Sequence, residues 1–119
     1  MKAKMARILI IEDDANIRDI IRIVLSKHYE LIFATNGQEA LNLFGIYNFD
    51  LILLDIVMPG IDGFTVCQHL RRLSEIPIIM CSAIGRREDR VRAIESGATA
   101  YLTKPFAIKD LRRCLQSFL

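Results

Sequence analysis

Two histidines, His28 and His69, stand isolated in this 119-residue chain, and three cysteines, Cys67, Cys81 and Cys114, form no CxxC pair. Histidine metal sites need clustered ligands, so the first observation argues against one. An odd set of scattered thiols reads as buried, reduced cysteines of a cytoplasmic protein, not as a disulfide scaffold. No apolar run approaches the roughly 20 residues that span a bilayer, and the N-terminus has no signal-peptide core. No membrane association is therefore expected. The formal net charge is only +2, which gives no ground to expect direct nucleic-acid binding by this domain. There is no repeat, low-complexity tract or linker, so residues 1–119 are expected to fold as one domain. Hydrophobic and charged contents of 52% and 25% fit an ordinary globule.

The stretch LILLDIVMPG, residues 51 to 60, organises what is present. Leu51 to Leu54 run without polar alternation, as strands do when both faces of a sheet are covered. The run ends on Asp55, and Met58-Pro59-Gly60 then turns the chain. Arg7 to Ile11 form a similar run ending in Glu12-Asp13-Asp14. Ile17, Ile20, Ile21, Val24 and Leu25 follow at helical spacing, with Asp14 as the expected cap. Leu31 to Ala34 make a short second strand, and Asn36 and Glu39 have capping-box spacing before Ala40, Leu43, Phe44 and Tyr47. Val66, Leu70 and Leu73 mark the inner face of a third helix. Ile78 to Cys81 form a fourth strand ending at Ser82. A charged helix runs from about Arg87 to Ser96, with Gly97 placed for a left-handed cap. Ala100 to Leu102 form the last strand, then Lys104-Pro105, and Ile108, Leu111, Leu115 and Phe118 line the last helix.

Five strands alternating with five helices predict an α/β domain with a parallel sheet and helices on both faces. At this length the flavodoxin-like doubly wound order 2-1-3-4-5 is the expected topology. That order brings Glu12, Asp13 and Asp55 to one sheet edge, with Ser82 and Lys104 beside them. Three carboxylates this close should not all stay ionised without help. A hard divalent cation with oxygen ligands relieves them, and Mg²⁺ fits best. Acid cluster, metal, lysine and hydroxyl are the parts phosphoryl transfer uses, and a carboxylate can itself be the nucleophile. Each residue has a plainer use: Lys104 as a solvated lysine, Ser82 as a helix cap, Tyr101 as a core aromatic, Glu12-Asp13 as a polar strand end. Their joint placement at the ends of four strands is harder to dismiss.

The motifs ILIIEDD (8–14), LLDIVMPGIDG (53–63), CSA (81–83) and YLTKPF (101–106) closely resemble the receiver domain of bacterial two-component response regulators. The resemblance implies a phosphorylation-activated switch in which Asp55 accepts a phosphoryl group from a sensor histidine kinase or phosphotransfer protein. It implies Mg²⁺ held by Asp13, Asp55 and the backbone carbonyl of Val57, with Glu12 acting through water. Lys104, Ser82 and the backbone of Ala83 would bind the phosphoryl group. Ser82 and Tyr101 would switch, changing the surface of the fourth helix, fifth strand and fifth helix. A cis peptide at Lys104-Pro105 is expected, and Val57 and Ile84 would flank the path of hydrolytic water. Such a domain catalyses only its own phosphorylation and dephosphorylation.

Residues 88–106 look most like receivers of the winged-helix transcription-factor subfamily, which implies a role in transcription regulation. Thr99, Ala100 and Cys114 depart from charged residues usual there, so a weak phosphorylation-dependent homodimer, or a different acidic partner, is expected. Three other readings compete, one of them a receiver fold used only as a protein-binding module, against which the intact acid cluster, Ser82 and Lys104 argue. A haloacid-dehalogenase-type, Mg-dependent phosphatase needs an acid where Val57 stands. A flavodoxin-like FMN carrier needs a phosphate loop where three acids stand.

Overall fold

Each apolar run becomes a strand and each amphipathic stretch a helix in the computed structural model, which describes residues 5–58, 60–83 and 86–119. The elements in chain order are β1 (Arg7–Ile11), α1 (Ala15–Leu25), β2 (Glu30–Ala34), α2 (Gly37–Phe44) and β3 (Leu51–Asp55). They continue with α3 (Gly63–Leu73), β4 (Ile78–Ser82), α4 (Arg87–Glu95), β5 (Ala100–Thr103) and α5 (Ile108–Phe118). Pro59 and Ile84, singled out in the sequence, lie outside the described residues. The strands form one parallel sheet in the order β2-β1-β3-β4-β5. This is the doubly wound topology expected from the alternation, with its switch point between β1 and β3.

Successive strand side chains point to opposite faces, and the core divides accordingly. Ile8, Ile10, Leu51, Leu53 and Ile79 pack on one side against α1 and α5, through Ile21, Leu25, Leu111 and Leu115. Leu9, Ile11, Ile52, Leu54 and Met80 pack on the other, against Ala40 of α2, Val66 and Leu70 of α3 and Ala93 of α4. β3 is buried along its whole length because it is central and covered on both faces.

Caps start the helices where the sequence places them. The Asp14 carboxylate accepts from the amides of Asn16 and Ile17 at 2.8 and 3.3 Å. Asn36 accepts from the Glu39 amide at 2.8 Å, but the Glu39 carboxylate takes its bond from the Thr35 hydroxyl, displacing the reciprocal half of the capping box.

Five residues expected to face inward do not. Ile20 is 55% exposed because the apolar stripe of α1 is wider than the sheet can cover; Ile21 and Leu25 take the buried positions. Leu73, Ile108 and Phe118 sit at helix ends and are exposed. Tyr47 lies past the end of α2, tilted on Phe49 and beneath the Arg7 guanidinium.

The thiols differ in access. Cys67 and Cys81 are buried, while Cys114 is half-buried, so the expectation of uniformly buried cysteines holds for two of three. Burial pushes the Cys67 thiol up to about 11 and the Cys81 thiol higher still. Since the thiolate is the reactive form, a thiol reagent near neutral pH should label Cys114 of the native protein well before the other two. Mass spectrometry of the labelled peptides checks the order; equal labelling of Cys81 would contradict the packing.

Candidate functional site at the carboxyl edge of the sheet

The switch point between β1 and β3 gathers the candidate residues because the register leaves no choice. Ile11 pairs with Leu54, so the residues that follow, Glu12 and Asp55, emerge side by side. Asp55 is opposite Cys81, and Ser82 is opposite Thr103, which sets Ser82 at the end of β4 and Lys104 just beyond β5. Backbone bonds extend this order past the strands. The Glu12 amide donates to Ala34 O at 2.9 Å, Ile56 to Cys81 O at 3.0 Å, and Lys104 to Ser82 O at 2.7 Å. The Lys104–Pro105 peptide bond is cis.

Carboxylate oxygens of Glu12, Asp13 and Asp55 all lie within 4.8 Å of one another. Glu12 and Asp55 are buried; Asp13 is exposed. Lys104 reaches across the sheet edge, its Nζ 2.6 Å from Glu12 Oε1 and 3.4 Å from Asp55 Oδ2. One ammonium thus pairs with two carboxylates of a cluster of three. Burial raises the Glu12 carboxyl above its ordinary range and the Lys104 hydrogen bond opposes this, while neighbouring Asp55 raises it further. Burial pushes the Lys104 ammonium down, but the Glu12 hydrogen bond and the Asp55 charge more than offset that and hold it above its usual value. Burial is thus the main cause for Glu12 and the neighbouring carboxylates the cause for Lys104; Asp55 pushes both groups the same way.

The remaining candidates surround this pair. Val57 is 61% exposed, and its amide donates to Asp55 Oδ1 at 3.3 Å. Ser82 is buried, Ala83 exposed. A side-chain hydrogen bond joins Ser82 and Tyr101, whose hydroxyl burial pushes above its ordinary value. Gly63, the first residue of α3, explains how close the Asp55 backbone lies to that helix. A Cβ there would stand 2.6 Å from Ile56 Cα and 2.8 Å from Asp55 O, so only glycine permits the approach.

One residue at the site has no place in the sequence reading. Arg18, on α1, donates from Nη1 to the backbone carbonyl of Glu12 at 2.8 Å, bracing the loop that carries Glu12 and Asp13. Its only sequence signal is a charged residue one turn past Asp14, on a helix whose neighbours Ile17 and Ile21 point inward.

Residues 8–116 match the family model for the response regulator receiver domain. The chain is 42% identical over 120 residues to "Probable transcriptional regulator ycf27" of Cyanophora paradoxa, covering 100% of this chain and 50% of that protein. The chain therefore spans about half the length of such relatives. Among solved structures it resembles the chemotaxis protein CheY4 of Vibrio cholerae, with a TM-score of 0.92, 32% identity, and 98% and 100% of the two chains covered. It also resembles the response regulator TrrA of Thermotoga maritima in complex with Mg(2+)-BeF, with a TM-score of 0.87, 34% identity, and 97% and 100% covered. Fold, order of motifs and family match agree: this chain belongs to the response regulator receiver domain family.

Proposed function

We propose that residues 1–119 form a single receiver domain in which Asp55 is the phosphoacceptor of a phosphorylation-activated switch. The observation that carries this is the Lys104 ammonium poised between Glu12 and Asp55 beside a third carboxylate. The donor set suits a hard cation: carboxylate oxygens in excess of positive charge, with the nearest thiol, Cys81, buried and un-ionised. Asp13, Asp55 and the Val57 carbonyl would hold Mg²⁺, with Glu12 through water, and the bound ion would neutralise charge on the phosphoryl oxygens.

The chain's own groups do the rest. An Asp55 carboxylate oxygen attacks phosphorus of a phosphohistidine on a sensor kinase or phosphotransfer protein; the P–N bond breaks as the O–P bond forms, and the imidazole leaves. Lys104 then holds a phosphoryl oxygen with the ammonium it already presents to Asp55 Oδ2. The Ser82 hydroxyl and Ala83 amide hold others, and because Ser82 already bonds Tyr101, a shift of Ser82 is transmitted to that ring. The partner histidine needs a landing surface next to Lys104. Ile17, Ile20 and Val24 of α1 face Pro105, Phe106 and Ile108 across an apolar groove there, which suits the apolar face of a partner helix. Relatives twice as long are named transcriptional regulators, so we infer that the switch serves transcription as part of such a regulator. The phosphatase reading lacks its acid: Val57 is apolar and has no proton to give.

Three outcomes test this. With Mg²⁺ and acetyl phosphate the protein should gain one base-labile phosphoryl group by intact mass, and Asp55→Asn should gain none; unchanged labelling of the variant would overturn the assignment. Asp13 makes no hydrogen bond or ion pair among the described residues, so Asp13→Ala removes repulsion and should leave metal-free thermal stability near neutral pH unchanged or raised. The same variant should lose most phosphorylation, and a clear drop in melting temperature would contradict the charge argument. Finally, Val57 at the site's mouth cannot orient a water, so the phosphoprotein should be long-lived and Val57→Asn should shorten its lifetime several-fold, read by phosphate release. Decay within seconds in the unaltered protein would refute this.

A further inference from the structure

Helix α4 is fastened unequally at its two ends. Its N-cap, Arg86, makes no side-chain capping bond, and of its 9 residues only Ala93 is buried. At the other end the amide of Ala98 bonds Ala93 O and that of Gly97 bonds Ile94 O, both at 3.0 Å, with Gly97 at φ +108. This is a complete double-bonded C-terminal cap. Arg71 of α3 closes over it. Its Nε donates to Gly97 O at 2.8 Å, and its Nη1 to Ile76 O and Ser74 O at 2.7 and 3.1 Å. Its Nη2 donates to the Thr99 hydroxyl at 3.3 Å, and the same hydroxyl accepts from the Ile78 amide at 3.1 Å. A Cβ on Gly97 would lie 2.8 Å from Arg71 Cγ, so the clamp and the glycine fit only each other.

A surface arginine usually does little. This one uses all three guanidinium nitrogens on backbone carbonyls from the α3–β4 turn and the α4–β5 turn, and on the residue that leads into β5. A lysine cannot reproduce that fork. We propose that Arg71 is the positioning residue of the α4–β5 segment: it fixes the C-terminal end of α4 and the entry of β5 to the sheet, so that a displacement begun near Ser82 swings α4 about this end. The swing rests on the phosphoacceptor reading above; the clamp does not. It also gives Thr99, one of the departures from the subfamily pattern, a role inside the domain.

Amide hydrogen exchange by NMR, with and without Mg²⁺ and beryllofluoride, tests both parts. In the unaltered protein the amides of Gly97 to Ala100 should stay protected in both states, and the change on activation should fall on residues 86–92. In Arg71→Gln and Arg71→Lys, exchange of those clamped amides should be about tenfold faster or more, and the activation change should spread along all of α4. Thr99→Val, which keeps shape but removes the hydroxyl, should give a smaller effect of the same kind and guards against a misfolded Arg71 variant. Exchange in all three variants at the unaltered rate overturns the clamp. Equal activation changes at both ends of α4 in the unaltered protein overturn the pivot. No response to beryllofluoride would instead refute the phosphoacceptor reading and with it the swing, while the exchange rates without it would still decide the clamp.

Discussion

The Lys104 ammonium, 2.6 Å from Glu12 and 3.4 Å from Asp55, is the contact on which the rest of the site depends. It joins residues 92 positions apart in sequence, so it exists only when β1, β3 and β5 are in register on one sheet. Two of its acids are buried, and burying charge costs several kcal/mol per ion even when paired. The strands behind them offset that cost. Ile10, Ile11, Leu54 and Ile79 are almost fully buried, and each such side chain contributes about 1.5–3 kcal/mol. The fold can thus hold an arrangement that is locally unfavourable. It is left with more negative charge than its one lysine neutralises.

How much of this was legible in the sequence follows from which interactions have a period. Strands β1, β3 and β4 are short continuous apolar runs, and their order came from the alternation with helices. The edge constellation followed, because residues that end parallel strands must share an edge. Helix faces were legible only in part. Ile21, Leu25, Val66, Leu70, Leu111 and Leu115 are buried, but Leu73, Ile108 and Phe118 overhang the sheet although they continue the same spacing. Periodicity reports the direction of a side chain and not whether anything stands opposite it. Ile20 shows the converse: an apolar residue at good spacing left exposed beside Phe106 and Ile108.

Arg18 and Arg71 were not legible at all. Each acts by donating to backbone carbonyls of another segment, Glu12 in one case and Ser74, Ile76 and Gly97 in the other. A carbonyl is present at every position, so no residue type marks the acceptor. Thr99 was noticed for the charge it lacks, whereas its use is the hydroxyl it has, shared between Arg71 and the Ile78 amide. Absence from a family pattern identified the position but could not name its role.

Helix α4 presents a face rich in arginine. Read as a pattern, Arg86, Arg87, Arg90 and Arg92 look like a solvated surface. Yet Arg90 donates to the Thr103 hydroxyl at 3.1 Å and lies over the Tyr101 ring, and Arg92 lies 4.2 Å over Phe64. These arginines are much of what attaches a helix with a single buried alanine. Exposed cation–π contacts are worth about 0.5–1 kcal/mol each, well below a buried leucine. α4 is therefore the most weakly held layer of the domain along most of its length, and it is secured at the end where Arg71 closes. In a switch of the kind proposed, a small gain at Ser82 and Tyr101 is enough to move such a helix and too small to disturb the core beneath it.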